Sequence, residues 1–207
     1  MTQEYSFMRL KVYEHLKLYD NACDWGVETF LRIGAALSSL QADVNVASIS
    51  VLMSKVAEVL RIIGTSSTTV VETSIPKLFQ LHFKLTSELK KFQSTIQLQR
   101  LQASSQTKIE SWETRLATFQ TCVSLIINLM DHFREAYGEI CLSEQRFDEA
   151  TASFLLPSSP LVSKAIQAAR GAQDWRKAMM LSKLYSSALP VELSTVRLAS
   201  EIVAEYR

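Results

Sequence analysis

Residues 109–137 read IESWETRLATFQTCVSLIINLMDHFREAY, and their apolar positions decide the fold class. Ile109, Trp112, Leu116, Phe119, Val123, Ile126, Met130, Phe133 and Tyr137 follow one another at spacings of 3-4-3-4-3-4-3-4. A sustained 3.5-residue period lays these side chains along one stripe of a helix, which suits lengthwise packing on a partner helix. The expected partner lies just upstream, where Leu78, Leu81, Leu85, Leu89, Phe92 and Ile96 form an apolar row ending near Arg100. Ser74 and Pro76 mark its start, because Pro in a first helical turn gives up only an N–H with no intrahelical acceptor. The polar interval 102–107, centred on Ser104-Ser105, then joins the two into an antiparallel hairpin about 40 Å long at about 1.5 Å per residue.

Composition agrees. Of 207 residues only 5 are Gly and 4 are Pro, roughly 4% where about 12% is usual. Strand-rich folds need frequent tight turns built from these residues, so a sandwich or barrel is excluded and an all-α fold of antiparallel helical hairpins is expected. With 47% hydrophobic and 21% charged residues the chain can bury a core, which excludes global disorder. Its 22 basic and 21 acidic residues give a net charge of +1, so no global field draws it to nucleic acid or acidic lipid. Cys23, Cys122 and Cys141 are odd in number and form no C-x-x-C pair, a pattern of reduced core thiols in a cytoplasmic or nuclear protein. The longest nearly pure apolar run, 123–130, is far too short to span a bilayer, so no membrane association is expected.

The first 64 residues read as three helices. Phe7, Leu10, Tyr13, Leu16 and Tyr19 give a helical face between Glu4 and about Asp20, a second helix is expected from about Asp24 to Leu40, and Asp43 is placed to cap a third. That third helix carries Val46, Ile49, Met53, Val56, Leu60 and Ile63, and Gly64 is expected to stop it. Thr65-Ser66-Ser67-Thr68-Thr69 combines β-branched and hydroxylated residues, which compete with helical hydrogen bonds. The expected division is therefore 1–64 for the N-terminal helices, 65–75 for a linker, 76–142 for the long hairpin and 143–207 for a final region.

In that final region the pattern shortens, with helices expected near 139–144, 147–156, 161–170, 173–186 and 191–206. Pro157, Pro160 and Pro190 separate them, and Gly171 closes the third. Phe147, Ala150 and Phe154 mark one apolar face, while the small residues Ala165, Ala168 and Ala169 permit close approach of a neighbouring axis. Trp175, Ala178 and Leu181 follow, then Leu198, Ala199 and Ile202. Short paired helices of this kind are the grammar of a tetratricopeptide-like α-solenoid, in which each hairpin buries its face only against its neighbours.

Three blocks carry a resemblance. They are Ala136-Tyr137-Gly138-Glu139 followed by Arg146-Phe147-Asp148-Glu149-Ala150; Lys164-Ala165-Ile166 followed by Asp174-Trp175-Arg176-Lys177-Ala178 and Leu181; and Leu193, Leu198-Ala199 and Ile202-Val203. His15-Leu16-Lys17-Leu18-Tyr19-Asp20-Asn21-Ala22 adds a fainter fourth. In order and spacing these resemble the α-solenoid of the largest, scaffold subunit of the Elongator complex, best over 134–207 and more weakly over 7–22. The resemblance implies a non-catalytic scaffold in the complex that modifies the wobble uridine of transfer RNA, with Phe147, Ala150, Ala165, Trp175, Ala178, Leu181 and Ala199 as structural solenoid positions. It implies other Elongator subunits as partners, contact with transfer RNA only through the complex, and homodimerisation of the family's full-length protein through a region not matched here. The alternative is a helical-bundle or coiled-coil adaptor of membrane trafficking, with the 76–142 hairpin as its working part. Arg207 falls inside an apolar-periodic pattern, so a neighbouring segment is expected to complete this helix.

No catalytic constellation, cofactor site or metal site is expected. His15, His82 and His132 lie on different helices, and neither His15 nor His82 has a Cys, His or acidic partner at i+3 or i+4. Cys141 has Glu139 and Glu144 nearby, and negative neighbours suppress a thiolate. The five glycines never cluster as a phosphate loop requires. Lys84, Lys90, Lys91 and Arg100 form the one basic cluster, beside Phe79, Phe83 and Phe92. These aromatics are expected in the leucine face rather than exposed for base stacking. Trp25, Trp112 and Trp175 are expected in cores.

Overall fold

The structure is a computed structural model that describes residues 3–40, 44–102, 106–156, 158–190 and 193–205. Among the described residues there are nine α-helices and no strand, so the fold is all-α. In chain order they are α1 (Gln3–His15), α2 (Tyr19–Ser38), α3 (Val46–Ser66), α4 (Thr68–Gln102), α5 (Gln106–Ser143), α6 (Phe147–Leu155), α7 (Val162–Gly171), α8 (Trp175–Leu184) and α9 (Thr195–Glu205). They divide into two compact units, 1–130 and 131–207, and α5 contributes to both.

In the first unit α2 is the central element, packing on α1, α3 and α4. Phe30, Leu37, Met53, Leu60, Ile63, Leu78, Leu81 and Phe119 are fully buried there. Gly34 lets α2 approach closely, since a Cβ at this position would lie 2.5 Å from Leu85 and 3.4 Å from Phe119. The α4–α5 hairpin is antiparallel as expected. The Phe92 and Phe119 rings meet at a tilt of 44° with centroids 6.5 Å apart, and Arg100 near the end of α4 pairs with Glu113 near the start of α5. It does not stand alone, because α2 runs along α4 and the Arg115 guanidinium of α5 donates to the Ser39 carbonyl just after α2.

Several boundaries differ from the sequence reading. Segment 65–75 is not a linker: only Ser67 interrupts the helices, and Pro76 lies inside α4 rather than opening it. Burial of Val70 and Val71 draws the segment into α4, and its hydroxyls serve the helix instead of competing with it. Thr65 and Ser66 donate to the Ile62 carbonyl at 2.7 and 2.8 Å, and Thr73 donates to the Thr69 carbonyl at 3.1 Å. Gly64 does not stop α3, which runs on to Ser66, and Gly138 does not interrupt α5. Asp43 lies outside the described residues, as do Ser104, Ser105 and Pro157; the cap of α3 is Asn45, whose side chain accepts from Ser48 N at 3.1 Å. The α1–α2 boundary falls at 16–18 rather than 20–24.

In the second unit α6 packs on α7, α7 on α8, and α8 on α9. Its core holds Cys141, Ala150, Phe154, Val162, Ala165, Ile166, Ala168, Ala169, Ala178, Leu181 and Leu198. Glycine again sets the approach of helices: a Cβ on Gly138 would lie 2.5 Å from the Phe154 ring, and one on Gly171 equally close to Phe147.

One turn occurs three times. Lys17, Gln145 and Gln173 have φ of 57°, 60° and 58°, and they are the non-glycine residues with positive φ among those described. Around each, the next residue's N–H reaches back five positions: Leu18 to Tyr13, Arg146 to Cys141, Asp174 to Ala169, at 2.9, 2.7 and 2.9 Å. This is the left-handed helix ending usually assigned to glycine, with orphan carbonyls of the outgoing helix satisfied. The following helix then opens with an aromatic residue, Tyr19, Phe147 or Trp175, and three residues later places an alanine, Ala22, Ala150 or Ala178, with no exposed surface.

Candidate functional site

The alanines of the repeated turn are where two helices meet. Their small side chains let the second helix of each hairpin settle against the first. Of the predicted solenoid positions, Ala150, Ala165, Ala178 and Leu181 come together in one core with Trp175 packed against it, and Phe147 lies under Gly171. Ala199 is only half-buried, and its neighbour Leu198 takes the core position in α9.

The hairpins of the second unit are also tied by polar contacts. Lys164 of α7 pairs with Glu135 at 2.7 Å and with Glu139, both on α5. Hydrogen bonds to these two carboxylates hold the ammonium pKa above its usual range. Lys177 of α8 reaches Asp148 of α6 at 2.6 Å, and Asp174 caps α8 by accepting from Lys177 N at 2.9 Å. Arg146 donates to Tyr137 Oη at 2.8 Å and also pairs with Glu144 and Glu149. The hydrogen bond from Arg146 lowers the Glu149 pKa, and burial with the Glu149 hydrogen bond pushes the Tyr137 phenol up to about 12. These contacts brace the turn around Gln145.

Little reactive chemistry is exposed. All three cysteines are free and buried. Burial pushes the Cys122 thiol up to about 12 and raises Cys23 and Cys141 as well. At Cys141 the Glu149 and Glu144 charges add to the burial, whereas Tyr137 and Arg146 oppose it. Among the described residues no group of three or more His, Cys, Asp or Glu is placed to hold a metal. His82 Nε2 lies 3.3 Å from Thr86 Oγ1, and His132 Nε2 is buried without a hydrogen-bond partner beside the Phe133 ring. No described helix is long and apolar enough to cross a membrane.

The basic cluster corrects the sequence reading. Phe92 is buried as expected, but Phe79 and Phe83 are 55% and 71% exposed on α4. The leucine row at Leu78, Leu81 and Leu85 already fills the face toward α2, so the two phenylalanines, each beside a leucine or one turn from its neighbour, point away. Trp25 is buried, with Nε1 donating to the Ser6 carbonyl at 2.9 Å and the Arg9 guanidinium 4.2 Å over its ring. Trp112 and Trp175 are half-buried.

A second exposed apolar surface escaped the sequence reading. On α1 Leu10 is buried, but Tyr5, Met8 and Val12 form a stripe on the opposite face, with Met8 62% and Val12 51% exposed; Leu16, expected on the Leu10 face, lies in the turn after α1 and is exposed too. The signal was present: α1 carries two interleaved apolar rows, of which one helix–helix contact can cover only one. No protein-family model, curated protein or solved structure matches the chain.

Proposed function

We propose that the chain is a non-catalytic helical scaffold that holds partner proteins, of the kind represented by the largest subunit of Elongator. The observation that supports this most is the recurrence of one hairpin turn at Lys17, Gln145 and Gln173, each followed by an aromatic residue and a buried alanine. Repetition of a small hairpin is how α-solenoids extend a surface for partners. The recurrence also coincides with three of the segments on which the Elongator resemblance rests, including the faint N-terminal one. On this reading the second unit is a tetratricopeptide-like stack, the partners are the other Elongator subunits, and transfer RNA is met only through the assembled complex in the cytoplasm or nucleus. The chemistry on the wobble uridine belongs to another subunit.

Affinity capture from cell extract on the tagged chain, followed by mass spectrometry, tests this. Recovery of the Elongator catalytic subunit is expected. Recovery of vesicle coat or tethering components in its place overturns the proposal in favour of a trafficking adaptor.

A further inference from the structure

Between α6 and α7 the sequence runs Pro157-Ser158-Ser159-Pro160, and Ser159-Pro160 is the single Ser-Pro or Thr-Pro pair in the chain. A residue that precedes proline is biased to extended backbone, and Ser159 lies outside both neighbouring helices and is exposed. Among the described residues its hydroxyl has no hydrogen-bond partner. An exposed serine followed by proline is the form of substrate that a proline-directed protein kinase takes, and a second proline two residues upstream of it completes the pattern.

A receptor for the modified side chain lies beside it. Asp131 and Arg134, one turn apart on α5, strap this connection at two points: Arg134 Nη1 donates to the Leu156 carbonyl at 3.2 Å, and the Ser158 N–H donates to both Asp131 carboxylate oxygens at 3.1 Å. No carboxylate among the described residues pairs with Arg134, whose guanidinium has further donors to offer. Ser159 is three residues of chain from Leu156, at most about 11 Å, and the Leu161 N–H folds the connection back onto the Phe154 carbonyl at 2.9 Å. The other cation nearby, Lys164 of α7, is already held by Glu135 and Glu139.

We propose that Ser159 is a phosphorylation site for a proline-directed kinase and that Arg134 receives the phosphate. The phosphoryl donor is a nucleoside triphosphate. A bond forms between Ser159 Oγ and the terminal phosphorus, the bond joining that phosphorus to the diphosphate breaks, the hydroxyl proton passes to the kinase's base, and the nucleoside diphosphate leaves. The new group carries nearly two negative charges at neutral pH. It gains charge-assisted hydrogen bonds from Arg134 and sets a like charge beside Asp131, so the strap on α5 passes from the Ser158 N–H to the phosphate.

The full chain is incubated with a recombinant mitogen-activated protein kinase, ATP and magnesium, and the product is mapped by tandem mass spectrometry. A single phosphate on Ser159 is expected. It is absent from Ser159→Ala, a substitution at an exposed position, and its incorporation is slowed at least about 10-fold by Pro160→Ala. The second ionisation of the phosphate is then followed by phosphorus NMR. Its midpoint is expected near pH 6 in urea and about half a pH unit lower in the folded chain, because a neighbouring cation favours the dianion. Arg134→Gln returns the folded value to that in urea, and the comparison of folded with unfolded parent decides the matter should this variant not fold. Phosphorylation only of the unfolded chain, phosphorylation elsewhere in place of Ser159, or one midpoint for both states overturns the proposal.

Discussion

Ala150 and Ala178 each follow an aromatic residue by three positions and have no exposed surface, so a larger side chain there has no room. Ala178→Leu is expected to cost about 1–3 kcal/mol in urea unfolding, the usual range for overpacking a filled core. Ala199→Leu, at a half-buried site, is expected to cost much less. Cys122 gives a prediction with a sign. Its thiol is raised from 9.0 to about 12 by burial, so between those values the unfolded chain has lost a proton that the native chain retains. Stability from this group is fully present below pH 9 and falls as pH rises, with a slope of about 1.4 kcal/mol per pH unit. Cys122→Ala is expected to flatten the alkaline decline by that amount; an unchanged slope places the titration elsewhere. The buried cysteines and most of the alanines were legible from residue type and spacing. The exposure of Phe79 and Phe83 was not, because a leucine row and two phenylalanines on one helix satisfy the same apolar count whichever row faces inward.

At the scale of elements, the turn is the informative unit. A left-handed φ costs an L-residue roughly 1–2 kcal/mol, and a β-branched side chain more than a linear one. Gln145→Val is therefore expected to destabilise by about 2 kcal/mol, and Gln145→Gly to leave stability within about 1 kcal/mol of the parent; thermal melts followed by circular dichroism decide both. Loss of the Asp174 cap in Asp174→Ala is expected to cost about 1 kcal/mol. Why the turn hid from the sequence follows from the same physics. Glycine is the usual marker of a left-handed helix ending, and here Lys or Gln stands in its place, the cost offset by the hydrogen bonds that close the turn. The short helices after residue 143 were legible because proline and the aromatic–alanine pairs punctuate them. Segment 65–75 reads as a linker from its hydroxyls yet folds as helix, because Ser and Thr favour a linker only when their neighbours are not buried, and Val70 and Val71 are.

For the whole molecule, net charge and ion pairing set the response to solvent. The cross-helix pairs Lys77–Asp24, Lys164–Glu135 and Lys177–Asp148 are all partly exposed, and the chain carries a net charge of +1. Exposed pairs contribute little and are screened by salt. Raising sodium chloride from about 0.05 to about 0.5 M is accordingly expected to change unfolding free energy by less than about 1 kcal/mol. A larger loss would mean that charge, rather than the apolar cores, holds the hairpins together. The all-α class was fully legible from the scarcity of Gly and Pro and from the 3.5-residue period. The division near residue 130 was not, because the apolar seam of α5 runs through it without a break.

The closely matched φ of Gln145 and Gln173, 60° and 58°, suggests the intervening segment as a removable cassette. Excising residues 146–173 joins Gln145 directly to Asp174, so the end of α5 meets α8 through a turn with the same φ and the same aromatic-and-alanine start. The product is one hairpin shorter and keeps a turn the parent already uses, with α8 in the place of α6, and insertion of a second cassette is expected to lengthen the chain by the same rule. Such a molecule changes reach by whole hairpins, without inventing a new connection.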